Sequence, residues 1–327
     1  MRFGVGFFTA QQPPGSGRSF TDLYADMLDH ARLMDEVGLD SFWVTEHHFC
    51  DDGYMPSPTT VCAAVASTTR HLTLGCGVMA PFAHPLRLAE DLIGVDLISG
   101  GGRLIAQIGA GYKVEEFSGF DVDRETRLER VLETVEILRG AFSGKPFRFQ
   151  GKHYHVPELT VVPGPATPGG PPLLVAGNSV EAATRSARLG ALYKVDASDS
   201  WDDAVRFVEA YEAAAPSPSS EREIHVQAYG FVSSGDPWAA IADGFVYMRE
   251  AYDRWGWAPT GPASRDPKDY RLLLGTPDEV TRQVEAYRAR FGDRLHLTLR
   301  LSYPGMDPDV VANGIKLWGQ VAARFAH

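Results

Sequence analysis

Strand-like and helix-like segments alternate along all 327 residues of this chain, without a break in composition. Such alternation is typical of a parallel sheet whose strands are connected by helices. Eight apolar segments are predicted as strands: Phe3 to Thr9, Ser41 to Glu46, Leu72 to Met79, Arg103 to Ile108, Pro172 to Ala176, Ala191 to Val195, His225 to Val232 and Leu295 to Leu301. Helices are predicted to begin near Thr21, Thr59, Pro85, Arg124, Val180, Ser200, Pro237 and Pro277, and a last one spans Pro308 to Phe325. Eight strand-helix units predict a (β/α)8 TIM barrel with one extra helix.

The length fits this architecture with residues to spare. A barrel of this class takes about 250 residues, so we predict one domain over residues 1–327 with two insertions. The first insertion, after helix 4, runs from Ser143 to Pro172 and contains a predicted hairpin at Phe147 to Val156. The second, after strand 7, runs from Trp255 to Pro277. Long loops of this kind commonly shape a substrate pocket, and we expect the second to be a mobile lid.

Composition excludes several classes of function. A formal net charge of -11 argues against a nucleic-acid partner. No apolar run reaches membrane-spanning length and no leader peptide precedes the first strand, so we expect a cytoplasmic protein with no membrane contact. Cys50, Cys62 and Cys76 form no CxxC pair, which argues against disulfides and against a thiolate metal site.

The end of the second predicted strand carries the strongest functional signal. The apolar run from Ser41 to Thr45 leads directly into Glu46, His47 and His48. In a parallel barrel the carboxyl ends of the strands form the face where ligands bind. Because strand side chains alternate between faces, the two histidines cannot both point inward, and one is expected to be structural. Too few further ligands converge here for a metal, so we predict no metal site and a general acid or base role for a histidine.

A second candidate site is the turn Ala176-Gly177-Asn178-Ser179, between strand 5 and a helix. Helix N-termini present free amides to anions, which favours phosphate binding. The alternative is a plain helix cap, in which Asn178 caps the helix and the Glu181 side chain bonds back to the cap residue. Arg124 and Arg127, at the start of the helix after strand 4, allow the same two interpretations: a bound anion, or ordinary ion pairs with neighbouring acids.

Glycines at two further strand ends suggest close approach to a flat ligand. Gly75 and Gly77 interrupt strand 3, and glycine weakens a strand unless something must come close to the backbone. Gly109-Ala110-Gly111 ends strand 4 in a similar way. Val114 breaks any GxGxxG fingerprint there, which disfavours a dinucleotide-binding Rossmann fold.

Several of these motifs together resemble the bacterial luciferase-like flavin-dependent monooxygenases, which are (β/α)8 barrels. The resemblance covers nearly the whole chain. It is carried by Met1-Arg2-Phe3-Gly4, Trp43 to Phe49, His84-Pro85-Leu86-Arg87 with Glu90-Asp91, Gly102-Arg103, and Gly275-Thr276-Pro277-Asp278-Glu279-Val280. Neither the Glu-His-His-Phe element nor the Gly-Thr-Pro-Asp-Glu element is specific alone, but the two together are.

The resemblance implies a set of site residues. The family's catalytic histidine falls on His47. The cofactor-binding positions fall on Glu46, Gly77, Val78, Ala110, Arg127, Ala176, Gly177, Asn178 and Ser179. A non-prolyl cis peptide of the family would fall at Gly77-Val78. The family's arginine after strand 4 is replaced by Ala110, which leaves phosphate neutralisation to Arg127 and Lys113, and Gly109 stands where luciferase has a cysteine.

The resemblance also implies a reaction. Externally reduced FMN, supplied by a separate flavin reductase, and O2 would insert one oxygen atom into a small organic substrate. Since Gly177-Asn178 differs from luciferase at the phosphate turn, light emission from a long-chain aldehyde is not expected. The alternatives are a deazaflavin-dependent hydride-transfer oxidoreductase and a non-catalytic flavin-binding protein. A homodimer is expected, with Leu88, Leu92 and Ile93 serving either its interface or the barrel wall.

Overall fold

In the residues that the structure describes, eight parallel strands close into a barrel. The computed structural model describes residues 1–197, 200–215, 222–257 and 263–325. The barrel strands are β1 (Arg2–Phe8), β2 (Ser41–Thr45), β3 (Thr73–Met79), β4 (Leu104–Gly109), β7 (Leu173–Ala176), β8 (Leu192–Asp196), β9 (Ile224–Val232) and β11 (Leu295–Arg300). They pair in this order, and β11 pairs with β1 to close the ring. The predicted TIM barrel and all eight predicted strands are confirmed.

Helices surround the barrel. They are α1 (Phe20–Glu36), α2 (Pro58–Thr68), α3 (Pro85–Ser99), α4 (Val114–Gly119), α5 (Arg127–Phe142), α6 (Val180–Arg188), α7 (Trp201–Ala214), α8 (Pro237–Arg254), α9 (Pro277–Phe291) and α10 (Pro308–Ala323). Proline occupies the first turn of several of them, where its missing N–H has no intrahelical partner to lose. The predicted extra helix is α10, whose Trp318 is fully buried and donates a hydrogen bond to the carbonyl oxygen of Gly4 at 3.1 Å.

The two faces of each strand have different partners. Phe42 and Val44 point outward into the main apolar core, which the helices complete. Trp43 points inward and is fully buried inside the barrel. A Cβ at Gly75 would lie 2.0 Å from the Trp43 indole, so the glycine in β3 is required by this side chain. The close approach predicted at Gly75 is therefore to a side chain of the protein itself.

The first insertion forms the predicted hairpin, with strands β5 (Phe147–Gln150) and β6 (His155–Leu159). The second contains a strand that was not predicted, β10 (Leu272–Gly275), which pairs in parallel with the end of β9. Residues 258–262 of the predicted lid lie outside the described residues. Leu88, Leu92 and Ile93 are buried against the barrel within the single chain, so of the two interpretations they belong to the barrel wall.

Candidate active site

The predicted site groups lie at the same end of the barrel. Glu46, His47 and His48 follow the last residue of β2, and Gly177 follows the last residue of β7. Because the barrel strands are parallel, both groups are at the carboxyl-end rim, separated along it by β3 and β4. The two predicted groups therefore lie on the same rim of the barrel.

His47 is held by hydrogen bonds on both ring nitrogens. Its Nδ1 lies 2.8 Å from Glu116 Oε1, and its Nε2 lies 2.9 Å from the hydroxyl of Tyr112. Only 3% of His47 is exposed, and Glu116 is fully buried. An ionised carboxylate only accepts, so Nδ1 carries a proton and Nε2 of the neutral ring accepts from the Tyr112 hydroxyl. Burial raises the pKa of Tyr112 well above its ordinary value, which keeps this hydroxyl protonated.

Aromatic rings enclose the His47 imidazole. The Tyr54 ring is perpendicular to it at 4.8 Å between centroids, and the Trp255 ring lies at 5.1 Å. Tyr252 completes this wall at 6.4 Å. Trp255 directly follows α8 and begins the second insertion. A ligand can reach His47 only when at least one of these rings, or Tyr112, moves.

His48 is the structural histidine of the pair. Its Nε2 is hydrogen-bonded to Glu46 Oε1, and its ring contacts Phe120 at 4.7 Å between centroids. The second oxygen of Glu46 accepts from the backbone N–H of Met79 at 2.8 Å. Glu46 therefore ties the end of β2 to the end of β3, and both of its oxygens are engaged by protein groups.

Lys113 supports the loop that carries the histidines. It is 3% exposed, and its Nζ donates to the carbonyl oxygens of His48 at 2.7 Å and Phe49 at 3.1 Å. Its ammonium group also lies 5.6 Å from the centroid of the Trp255 ring. In this conformation the charge of Lys113 is directed at loop carbonyls, and not at the turn predicted to bind phosphate. Ala110, three residues earlier, is half-buried and packs against the main apolar core.

The turn after β7 differs in one respect from the predicted cap. Ser179, and not Asn178, caps α6, because its Oγ accepts from the backbone N–H of Ala182 at 3.1 Å. Asn178 is used across the turn instead, where its Oδ1 accepts from the backbone N–H of Asp196 at 3.2 Å. A Cβ at Gly177 would lie 2.6 Å from Cβ of Ala182, so only glycine fits this turn without a shift.

Arg127 begins α5 as predicted and remains partly exposed. Its Nη1 donates to the carbonyl oxygen of Arg124 at 2.9 Å and lies 3.8 Å from a carboxylate oxygen of Glu125. Of the two interpretations left open by the sequence, this conformation contains the local ion pair.

The cis peptide expected at Gly77-Val78 is not there. In the described part of the chain the non-prolyl cis peptide joins Gly6 to Phe7 in β1. Gly77 nevertheless faces the barrel interior, where a Cβ would lie 3.1 Å from a methyl carbon of Thr45 and 3.4 Å from Nε2 of Gln107. Val78 points outward and is buried in the main apolar core.

Sequence reasoning missed three groups of residues. Tyr112 and Glu116, which bond His47, lie in a loop and a one-turn helix with no motif to mark them. Arg300 closes β11, where its alternation with Thr298 and His296 is the signal that could have placed it inside the barrel. At the amino-terminal end of the barrel, Glu223, His225 and His296 bring ligating atoms within 4.8 Å of one another, although no metal site was predicted.

Comparison with known proteins identifies the class. The sequence pattern of the luciferase-like monooxygenases matches residues 1–294, and the chain belongs to this family. The chain is similar to the oxygenase component of a flavin-dependent trigonelline monooxygenase from Acinetobacter baylyi, with 29% identity over 179 residues, 54% of this chain and 49% of that protein. It is similar to an F420-dependent hydroxymycolic acid dehydrogenase from Mycobacterium tuberculosis, with 26% identity over 171 residues, 50% of this chain and 47% of that protein. The chain thus spans about half the length of the curated relatives it matches.

Among solved structures, the monooxygenase RslO1 from Streptomyces bottropensis matches with a TM-score of 0.82 and 26% identity, over 98% of each chain. The similarity therefore extends over the whole barrel. Within the described residues, none of the helices combines the length and the apolar character that crossing a membrane requires.

Proposed function

We propose that this protein is a monooxygenase that takes FMN reduced by a separate reductase and uses O2 to insert one oxygen atom into a small organic substrate. The observation that carries the proposal is the buried His47, held between Glu116 and Tyr112 on the same barrel rim as the turn at Gly177. The flavin-dependent relative supports the cofactor class.

The residues at the rim are suited to hold FMN. The N-terminus of α6, with the backbone amides that follow Gly177, would take the phosphate, and Arg127 would leave Glu125 to neutralise it. The ring would lie at the rim near Gly77, whose missing Cβ avoids close contact with the carbonyl oxygen of Val44 and the side chain of Thr45. Oε1 of Gln107, beside Gly77, is buried, has no hydrogen-bond partner among the residues that the structure describes, and offers an acceptor to a ring N–H. When bound, reduced FMN supplies the electrons and the reaction with oxygen.

The protein's own residues would handle protons and exclude water. With Nδ1–H fixed by Glu116, Nε2 of His47 is the atom that accepts or returns a proton once Tyr112 moves aside. Trp255, Tyr252 and Tyr54 would close over the substrate and keep water out. Entry of substrate then requires that at least one ring of this wall moves, and movement of Trp255 would fit the expectation that the second insertion is mobile.

A deazaflavin-dependent hydride transfer is the second candidate, because an F420-dependent dehydrogenase is among the relatives. The strand-2 sequence Glu46-His47-His48 favours FMN, since the deazaflavin enzymes of this superfamily typically end that strand in Asp-His. The two candidates predict opposite cofactor preferences.

Anaerobic fluorescence titration with reduced FMN and with a reduced deazaflavin tests the choice. We expect tighter binding of reduced FMN, and after mixing with O2 a delayed return of oxidised-FMN absorption. His47→Ala should bind reduced FMN within about threefold of the original affinity, yet shorten the delay, because the histidine would no longer control the protons at the site. His155→Ala, a change of an exposed histidine, is the control. Tighter deazaflavin binding, or an unchanged delay in His47→Ala, would contradict the proposal.

A further inference from the structure

Arg300 is a charged side chain inside the barrel. It is the last residue of β11, and it shares the inward face of that strand with His296 and Thr298, whereas Leu297 and Leu299 point outward into the apolar core. Its exposure is 0%. Because β11 ends at the carboxyl-end rim, the guanidinium lies at the same end of the barrel as His47.

The hydrogen bonding of Arg300 is incomplete. Nη1 donates to the hydroxyl of Tyr252 at 2.8 Å. Nε and Nη2 are buried without a hydrogen-bond partner, and among residues 1–197, 200–215, 222–257 and 263–325 no carboxylate forms an ion pair with Arg300. The rings of Tyr252 and Tyr303 lie 5.6 and 5.9 Å from its Cζ, which stabilises the charge only partly.

This arrangement is unfavourable in the ligand-free protein. A guanidinium keeps its charge at any physiological pH. It therefore cannot avoid the cost of a buried charge by losing a proton, as a lysine or a histidine can. The neighbouring phenols are no substitute for a counter-ion, because burial raises the pKa of Tyr54 and of Tyr229 well above the ordinary value and keeps both neutral. A buried charge without a partner is strongly destabilising.

Arg103 shows what a structural arginine looks like in the same chain. Its Nε donates to the carbonyl oxygen of Leu72 at 3.0 Å, and Nη1 and Nη2 donate to Thr69 at 3.0 and 2.6 Å. All three nitrogens of Arg103 thus have a partner, which is a backbone carbonyl oxygen for two of them and the hydroxyl of Thr69 for the third. Arg300 makes no comparable bonds with Nε and Nη2.

We propose that Arg300 binds a carboxylate group of the substrate. Nε and Nη2 are the two nitrogens of one edge of the guanidinium, and their parallel N–H groups match the two oxygens of a single carboxylate. This inference rests on the proposed function, because it assigns a substrate class to the same site.

The surroundings connect this position to His47. The hydroxyl of Tyr252 bonds Arg300 and lies 3.2 Å from the hydroxyl of Tyr54, and the rings of Tyr54 and Tyr252 both form the wall around His47. The FMN phosphate is assigned to the turn after β7, whereas Arg300 is on β11, two strands from the β2 end that carries His47. A substrate anchored on Arg300 would therefore lie against the same aromatic wall as the histidine.

The first arm of the test needs no ligand. Arg300→Met removes the unpaired charge and keeps most of the side-chain volume, so we expect the melting temperature of the ligand-free protein to rise, on the order of 2 °C. Arg103→Met is the matched control and should lower the melting temperature, because it leaves backbone carbonyls without donors. A fall in Arg300→Met as large as that in Arg103→Met would show a structural arginine and overturn the inference.

The second arm compares matched probes of different charge, benzoate against benzamide and formate against formamide, at equal ionic strength. In the original protein at least one carboxylate should raise the melting temperature more than its amide, and the difference should vanish in Arg300→Met and Arg300→Gln. The inference is overturned when no carboxylate exceeds its amide, or when the difference survives both substitutions.

Reduced FMN, titrated anaerobically, separates this inference from the proposed function. We expect Arg300→Met to bind reduced FMN with an affinity within about threefold of that of the original protein. A loss of reduced FMN binding in that variant would assign Arg300 to the flavin and overturn the substrate inference. Failure of the original protein to bind reduced FMN would remove the proposed function, while the carboxylate result would still report on Arg300.

Discussion

Glu116 should be the carboxylate on which the site's preorganisation depends. Its Oε1 accepts two hydrogen bonds at 2.8 Å, from Nδ1–H of His47 and from the backbone N–H of His48, whereas its Oε2 is buried without a partner. Hydrogen bonds to a charged group contribute about 1.5–3 kcal/mol each, so the two together amount to about 3–6 kcal/mol. Removing the unpaired, buried Oε2 relieves about 1–3 kcal/mol of desolvation cost. We therefore expect Glu116→Ala to lower the free energy of unfolding by about 3 kcal/mol.

Glu116→Gln separates the charge from the acceptor. The amide oxygen can still accept both bonds, and the amide nitrogen would take the buried place of Oε2, which forms no hydrogen bond within the described residues. A cost of about 1 kcal/mol is expected. Urea unfolding measures both values, and Glu115→Ala, an exposed neighbour in the first turn of α4, should change the stability by less than about 1 kcal/mol. The reasoning is refuted when Glu116→Ala costs no more than Glu115→Ala.

Two further predictions concern the barrel interior and the turn after β7. The Nζ of Lys194 lies 3.9 Å from the centroid of the Trp43 ring with no hydrogen-bond partner, and burial lowers the pKa of this amine well below its usual value. Between this lowered pKa and the ordinary pKa of lysine, the unfolded chain binds a proton that the folded chain does not. The free energy of unfolding should rise by up to about 1.4 kcal/mol per pH unit from pH 7 towards pH 9. Lys194→Met should abolish this slope and raise the free energy of unfolding at pH 7. Urea midpoints measured at the two pH values test both expectations. Gly177→Ala should weaken reduced-FMN binding at least about tenfold, because its Cβ would collide with Ala182. The control is Gly164→Ala, whose Cβ would lie in open space and should leave the titration unchanged. Equal affinities in the two variants would contradict the assignment of the phosphate to this turn.

The fold could be predicted because its signals are local. Each barrel strand is a short apolar run between helix-like segments, and periodicity alone separates the two. β10 escaped prediction because Leu272–Gly275 is only four residues long and lies in a charged insertion, so its pairing with β9 depends on tertiary contacts. The cap of α6 was wrongly placed on Asn178 because asparagine and serine cap equally well, and only the backbone path shows that Ser179 begins the helix.

The site could be predicted only in part. The strand end predicted a functional histidine, and the resemblance to the family selected His47, but its partners Tyr112 and Glu116 come from a loop and the short helix α4 and have no sequence signature. Lys113 was offered for phosphate neutralisation because Ala110 replaces the family's arginine, whereas in the structure its Nζ donates to the carbonyl oxygens of His48 and Phe49. Charge in a sequence does not report which polar group a side chain meets, and this is decided by contacts between distant segments.

Several polar atoms inside the barrel have no hydrogen-bond partner in the described residues, and they are not equivalent. His225, Lys194 and Gln107 carry such atoms, and Arg300 carries two at the rim. Burial lowers the pKa of His225 and of Lys194 well below their usual values, which favours the neutral form of both. Gln107 has no charge to lose. Arg300 alone among these four can neither lose its charge nor find an anion in the described protein, so a ligand that provides the anion would supply the partner that this buried charge lacks.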